Sequence, residues 1–435
     1  MCMAYTHADL PANYHTERLS KVICIPLIVI ATMTIDMKNT TQKQHIVIVG
    51  GGFGGIKTAL ELSKQPHLFD VTLISDRPDF WYFPTMYHTA TGGTRAQSSI
   101  PLRFLFRNTH VKLIEGQALG LDRETKVLTL AGNKTVHYDK LIMALGVVTN
   151  YFGIPGLAEF SYGIKSIGEA EQLKRHLHQQ LLDEGKPDLN YIVVGGGPTG
   201  IELAGALGAY LKFIMKQHGL PDRTVHVDLV EMAKHLMPRM PKSVGKAIER
   251  RLKSLGVTLY LGKSVEGQNA DELVVAGKPI RSHTVVWTAG QANNPFFNEN
   301  SFRISPRKKV VVDEFLRAES DIFVIGDNAE TEYSGMAQTA IYDAEFVTNN
   351  LVKESEGEPK LAYRPKKPVY VTPAGPKWAA IEWGNTHIYG KLGWLLREAG
   401  DFVSFTDIES IPDATVQWAR VLQDQHLCKV CGSVA

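Results

Sequence analysis

Two glycine runs carry the residues of this chain whose type and spacing point most directly to chemistry. Gly50-Gly51-Gly52-Phe53-Gly54-Gly55 and Gly195-Gly196-Gly197-Pro198-Thr199-Gly200 each satisfy G-x-G-x-x-G, with the spaced glycines at 50, 52, 55 and at 195, 197, 200. A pyrophosphate needs this pattern: a tight turn at the first glycine, close backbone approach at the second, and close helix–strand packing at the third. Acidic and polar side chains stand downstream of each run. Ser75 and Asp76 follow the first, and Glu231 follows the second, where a carboxylate would accept hydrogen bonds from a ribose and repel a 2′-phosphate. Glu202, just inside the helix expected after the second run, is a further charged candidate, with a favourable first-turn dipole interaction as its plainer role. Asp327, in Asp321-Ile322-Phe323-Val324-Ile325-Gly326-Asp327, ends an apolar segment in Gly-Asp.

The elements that must position these residues are legible in outline. His45–Val49 and Phe69–Ile74 read as strands flanking the first glycine run, with a helix through Ile56, Ala59, Leu60 and Leu62 between them. Tyr191–Val194, a helix from Ile201, and Val225–Val230 repeat the arrangement about 145 positions later. The second strand–acid spacing exceeds the usual ~20 residues, and a long helix with a turn at Gly219-Leu220-Pro221 absorbs the excess. Tyr138–Gly146 and Thr284–Gly290 are apolar segments ending in small residues. The fold class expected is α/β: two Rossmann-like dinucleotide-binding domains, the first discontinuous and the second inserted into it, with a C-terminal α+β domain. The boundaries expected are 42–153 and 281–362 for the first domain, 154–280 for the second and 363–435 for the tail.

Composition bounds the function classes. With Lys+Arg 47 against Asp+Glu 45 the chain is nearly neutral, so nothing points to a nucleic-acid partner. The four cysteines are Cys2, Cys24, Cys428 and Cys431; with none between Cys24 and Cys428, no redox pair of cysteines can serve the folded middle. The terminal C-x-x-C reads as an untethered tail, with half a zinc site or a redox pair as the alternative. The histidines show no metal-ligand spacing, so no metal is expected. Val22–Met33 is an apolar run of twelve, short of the ~20 residues of a membrane helix and without a clear cleavage site. It reads as lying outside the fold (residues 1–41), with translation beginning at Met33 or Met37, and a targeting segment as the alternative.

From about His45 to Asn350 the chain resembles the two-dinucleotide-binding-domain flavoproteins, and among them the type II NADH dehydrogenases, single-subunit NADH:quinone oxidoreductases. The residues that carry the resemblance are VGGGFGG (49–55), VTLISDRPDFWYFPTMYHTATGG (71–93), VVGGGPTGIELAG (193–205), VWTAG (286–290), IGDNAE (325–330) and Ala337-Gln338-Thr339-Ala340. The resemblance implies FAD in the first fold, NADH in the second, and a quinone as the electron acceptor, without proton pumping. It implies FAD contacts at Phe53, Gly54, Pro84, Ala118, Gly146 and Gly326-Asp327, crossings between domains at Gly146 and at Ala289-Gly290, and a flavin-side segment at Ala337-Gln338. Glu202 and Gln338 become the catalytic candidates, on the nicotinamide and acceptor sides. Lys377 is a weaker quinone-side candidate that reads more simply as solvated.

Three departures from the family pattern stand out. The two glutamines that continue its A-Q-x-A segment are replaced by Tyr342 and Asp343. Alignment on Pro84 puts Ser75, not Asp76, where the family has its acid. The tail helices at Leu392–Phe405 and Ala414–Leu422 are shorter and more polar than membrane-docking helices of the family. Trp378, Trp383, Trp394, Trp418, Lys391 and Arg397 could line a membrane-contact surface or a homodimer domain. The expectation is a peripheral protein of the cytoplasmic membrane face, otherwise cytoplasmic. Two alternatives remain: a soluble NAD(P)H-dependent reductase of a ferredoxin- or rubredoxin-like protein, docking through Lys360, Arg364, Lys366, Lys367 and Lys377, or a non-enzymatic NADH-binding flavoprotein.

Overall fold

The computed structural model describes residues 43–183, 188, 190–220 and 223–422. The apolar run Val22–Met33, the start at Met33 or Met37 and all four cysteines lie outside the described residues. Strand β1 (Gln44–Val49), helix α1 (Phe53–Ser63), β2 (Phe69–Ser75), β3 (Lys112–Glu115) and β4 (Lys140–Met143) begin the first unit. The chain then builds β5 (Asn190–Val194), α2 (Pro198–Gln217), β6 (His226–Glu231), β7 (Val257–Leu261) and β8 (Thr284–Trp287). It returns through β9 (Arg317–Glu319), β10 (Ile322–Val324) and α3 (Ala337–Ser355). The first sheet runs β9-β10-β4-β1-β2-β3, so strands from both ends of the inserted unit share one sheet. The second runs β7-β6-β5-β8 and is parallel throughout.

β8 is the edge strand of the second sheet, paired with β5 from Tyr191↔Thr284 to Val194↔Trp287. The inserted unit therefore reaches Trp287 rather than stopping at 280. The crossings themselves are shorter than the apolar segments suggested. Val147–Thr149 pairs antiparallel with Gln291–Asn293, directly after Gly146 and Gly290, and this two-stranded ribbon joins the units.

The apolar strand sequences follow from burial on both faces. In β1, Ile46 and Ile48 pack with Phe53, Ile56 and Ile325, while Val47 and Val49 pack with Ile74, Leu141 and Met143 on the other side. A strand covered twice reads as a continuous hydrophobic run, because alternation would bury polar groups. Burying each such side chain stabilises the fold by roughly 1.5–3 kcal/mol, and a charge at Ile48 would break the sheet's core. Helix α1 lies close on α3: a Cβ on Gly54 would stand 3.1 Å from Cδ1 of Ile325 and 3.5 Å from the Ala340 carbonyl. Lys57 on α1, itself buried, ties the region together through Glu61 at 3.0 Å and Glu345 of α3 at 3.3 Å.

The tail adds a three-stranded antiparallel sheet, β11 (Tyr370–Pro373), β12 (Ala379–Trp383) and β13 (Thr386–Tyr389), then helices α4 (Gly390–Thr406) and α5 (Ile411–Leu422). Phe405 and Ile408 enter the core of the first unit beside Phe53 and Tyr82. Trp418 turns its indole N–H to the Glu398 carbonyl at 2.8 Å. Arg397, read from sequence with a surface group, is buried instead. Among the described residues no helix is long and apolar enough to cross a membrane.

Candidate functional site

The two glycine runs fold alike. Gly50 has φ +123° and Gly195 φ +119°, values that L side chains rarely adopt. A Cβ on Gly55 would stand 1.9 Å from the Gly50 carbonyl oxygen, and one on Gly200 would stand 2.0 Å from that of Gly195. Any other residue at 55 or 200 would push helix from strand. Gly52 and Gly197 are different: a Cβ there would meet nothing within 4 Å. Each is the N-cap of its helix and has no side chain to cap the first-turn N–H groups. A helix N-terminus of this kind suits the two negative phosphates of a dinucleotide. The residues present thus fit a pyrophosphate in both units.

Ladder register settles which side chain follows each second strand. Val49 pairs with Ile74 and Val194 with Val230, so Ser75 and Glu231 occupy the same step. Glu231 accepts hydrogen bonds from the backbone N–H of Gly196 and of Ala233, both at 2.6 Å, which aims its carboxylate across the glycine loop. Ser75 is buried, its Oγ 2.5 Å from where a Gly51 Cβ would sit. Asp76 points outward and pairs at 3.4 Å with Arg77, whose guanidinium lies 4.1 Å over the Trp81 ring.

Gly326 and Asp327 begin a short turn after β10. The Gly326 N–H donates to Asp343 Oδ2 at 2.9 Å, and the Tyr363 hydroxyl donates to Oδ1 at 2.6 Å. Burial pushes the Asp343 carboxyl up to about 6, against these two hydrogen bonds. The residue that seemed only a departure from the family pattern thus anchors the Gly-Asp turn from beneath. Asp327 is raised by burial, opposed by Lys309, whose ammonium donates to the Asp327 carbonyl at 2.5 Å. Asn328, which sequence reasoning did not single out, holds Gly146 of the first crossing and Asn293 of the second. Its only sequence signal is adjacency to Gly-Asp.

Glu202 lies in the second turn of α2, and three distant segments converge on it. Burial pushes its carboxyl up to about 8, with Arg397 opposing and Asp401 adding to the shift. Arg397 of α4 lies 2.9 Å from Asp401 and 3.1 Å from Glu398, and donates to the Pro84 carbonyl at 3.3 Å. The Tyr82 hydroxyl donates to Asp401 at 2.9 Å. Nearby, burial and then Arg397 push His88 well below the usual imidazole range, and both its ring nitrogens are buried without a protein hydrogen-bond partner. The tail helix therefore reaches the segment around Pro84 and the start of α2 together.

Gln338 stands at the second residue of α3, where its side-chain carbonyl accepts the Val369 N–H at 2.9 Å. Lys377 is exposed on a turn with φ +51°. Ala118, a contact implied only by resemblance, is buried in the core that also contains Val49, Ile74 and Met143. Of the basic tail residues, Lys360 pairs with Glu354 at 3.2 Å, Lys367 with Glu382 at 2.7 Å, and Lys366 sits 4.9 Å over the Tyr342 ring. No group of side chains able to hold a metal ion occurs among the described residues.

Residues 44–344 match the profile of the pyridine nucleotide-disulphide oxidoreductases. The chain belongs to this family. Within it, the chain is 27% identical over 342 residues to the type II NADH:quinone oxidoreductase of Staphylococcus saprophyticus, covering 73% of this chain and 84% of that protein. It is 29% identical over 348 residues to the type II NADH:quinone oxidoreductase Ndh of Mycobacterium tuberculosis, covering 73% of this chain and 74% of that one. Among solved structures, NDH2 of Plasmodium falciparum in complex with NADH superposes with a TM-score of 0.76 at 16% identity, covering 88% of this chain and 99% of that one. The sulfide:quinone oxidoreductase of Aquifex aeolicus gives 0.69 at 21% identity, over 82% and 89%. These two likenesses establish the family's shared fold.

Proposed function

We propose that this chain passes electrons from NADH through FAD to a quinone. The observation that carries the reading is the pair of matching cradles, Gly50–Gly55 and Gly195–Gly200, joined by one ribbon whose two strands Asn328 ties together. The curated relatives named as type II NADH:quinone oxidoreductases support the choice of donor and acceptor.

In this reading the first unit holds FAD through Gly50, Gly52, Phe53, Gly54 and Gly55, with Ser75 beneath the loop and Gly326-Asp327 at the other end. Pro84, Ala118, Gly146 and Ala337 complete that site. The second holds NADH through Gly195, Gly197, Pro198, Thr199 and Gly200, with Glu231 reading the ribose and Ala289-Gly290 at the far side. FAD, when bound, supplies a carrier that accepts a hydride from one partner and yields two electrons to another. Reduction of a quinone by NADH takes up one proton from solvent: NADH + H⁺ + quinone gives NAD⁺ and quinol. Glu202, half-buried and with its carboxyl pushed up to about 8, is the residue that would hold such a proton, with the Arg397–Asp401 pair nearby. Gln338 serves the acceptor side.

Peripheral membrane contact belongs to the same reading. Leu392, Leu395 and Val403 of α4 and Ile411, Val416 and Leu422 of α5 are exposed apolar side chains on the tail. In this reading the contact is with the cytoplasmic face of the membrane. A homodimer is the competing use of this surface. Leu392→Glu with Leu395→Glu should abolish co-sedimentation with phospholipid vesicles and leave the sedimentation coefficient unchanged; a change in the coefficient alone would assign the surface to a dimer.

Steady-state turnover with NADH against menaquinone, ubiquinone and dye acceptors tests the reading. Turnover with a quinone is expected. Turnover only with a small iron–sulfur protein would replace it with the soluble-reductase reading, which the internal pairing of Lys360, Lys366 and Lys367 already disfavours. Flavin reduction without turnover on any acceptor would leave a non-enzymatic NADH-binding flavoprotein.

A further inference from the structure

Phe152 adopts φ +53° and Gly153 follows at φ +68°. Bulky L side chains avoid left-handed backbone, and a fold retains one there when something else depends on it. Leu316 and Met237 share the conformation, yet both are buried, at 1% and 5% exposure, so core packing offsets their strain. Phe152 has no such compensation, because its side chain is 62% exposed. The backbone beneath it is nevertheless firmly set. The Phe152 N–H donates to Asn150 Oδ1 at 2.8 Å, and the Trp287 indole N–H donates to the Asn150 carbonyl at 3.0 Å. The Trp287 ring meets Phe152 edge-on, with centroids 6.4 Å apart.

The ring, on the turn after the Val147–Thr149 ribbon strand, stands beside the end of β8 in the second sheet. Strand order β7-β6-β5-β8 reverses direction between β5 and β8, and a dinucleotide lies across the carboxyl ends of the strands at such a switch point. Glu231 at the end of β6 marks the adenosine half. The other half then extends over the end of β8, past Thr288 and Ala289, which lie against Gly195 of the glycine loop. Gly290 comes next, and a Cβ on it would stand 2.7 Å from Cε2 of Phe152. An exposed aromatic ring is thus held against Gly290 just past the end of β8, while Glu231 stands at the end of β6, on the other side of β5.

We infer that Phe152 is a stacking contact for the nicotinamide–ribose half of NADH, presented by its left-handed backbone between Asn150 and Gly290. The inference rests on the NADH reading of the second unit and adds a residue to it. Stacking of this kind uses the flat, apolar face of the ring and asks no hydrogen bond of it.

The test uses the full-length, FAD-loaded protein titrated with tetrahydro-NADH, which cannot release a hydride, and separately with 5′-AMP. Phe152→Ala should weaken tetrahydro-NADH binding about tenfold and leave 5′-AMP unchanged. Phe152→Trp should retain affinity. Phe152→Gly should weaken the analogue as the alanine variant does while holding or raising the melting temperature, since glycine relieves the strained φ. Unaltered binding in Phe152→Ala, or parallel losses for the analogue and 5′-AMP, would overturn the proposal alone. Failure of the wild-type protein to bind tetrahydro-NADH would overturn the NADH reading and the proposal with it.

Discussion

The side-chain amide of Asn328 clasps Gly146 from both sides of its backbone: the Gly146 N–H donates to Oδ1 at 2.8 Å and Nδ2 donates to the Gly146 carbonyl at 2.7 Å. Nδ2 also donates to Asn293 Oδ1 at 2.6 Å, so one buried side chain holds the first crossing to the second. Asn328→Ala strands a backbone pair and should cost about 1–3 kcal/mol in urea unfolding, with faster loss of FAD. Asn328→Asp should be worse than alanine, because a carboxylate would face two oxygens that now accept hydrogen bonds. An aspartate variant as stable as wild type would contradict the clasp.

Asp343 makes a pH-dependent contribution whose sign is fixed by its raised affinity for protons. An ordinary aspartate titrates near 3.8, and this one near 6, so between those values the folded protein binds more protons than the unfolded chain. Its contribution to stability therefore falls as pH rises from about 4 through about 6 and stays lower above that. Asp343→Asn cannot titrate. The stability gap between wild type and variant should shift in the variant's favour across this window, on the order of 2–3 kcal/mol by urea unfolding at each pH. A gap that is flat from pH 4 to pH 7 would contradict it.

Much of the fold was legible because its signals are local. Strand, glycine turn and helix lie within a dozen residues at 45–56 and at 191–202, and backbone sterics dictate both. The Gly326-Asp327 turn was legible for the same reason. The convergence of Glu202 with Arg397 was not, because 195 positions separate them in sequence and only the packing of α4 brings them together. The tail arginine looked like a surface cation because nothing local distinguishes a buried ion cluster from a solvated face. The second crossing was read as beginning at Thr284, since an edge strand with apolar side chains on both faces has the same pattern as a crossing segment. The choice between Ser75 and Asp76 needed the strand register, which one residue of slip would reverse.

Glu231 should determine coenzyme choice. Its carboxylate is held at the end of β6 by the Gly196 and Ala233 N–H groups, and in the proposed NADH site a carboxylate there would repel a 2′-phosphate. Glu231→Ala should lower the ratio of kcat/KM for NADH over NADPH by about tenfold or more, and Glu231→Arg further. A wild-type preference for NADPH would contradict the assignment.

Glu202→Gln tests the proton held near the start of α2. With the wild-type carboxyl protonated below about 8, turnover should decline as pH rises through that value. The glutamine variant should be slower, by about 10²-fold, and lose that limb of the profile. An unchanged profile would move the titrating group elsewhere.

Gln338→Ala separates the two half-reactions. Flavin reduction by NADH should stay within about twofold of wild type in stopped flow, while reoxidation by quinone slows by about tenfold. Slowing of the reductive half alone would place Gln338 on the NADH side.

An anaerobic double-mixing experiment follows electron passage from NADH through bound FAD to a quinone. NADH is mixed with the FAD-loaded protein until flavin absorbance is bleached, and menaquinone or ubiquinone in phospholipid vesicles is then added. Full bleaching by NADH is expected, with recovery of the oxidised flavin spectrum on quinone addition at a rate no slower than steady-state turnover. Flavin that NADH leaves oxidised, or reduced flavin that persists with both quinones yet is reoxidised by a small iron–sulfur protein, would contradict it.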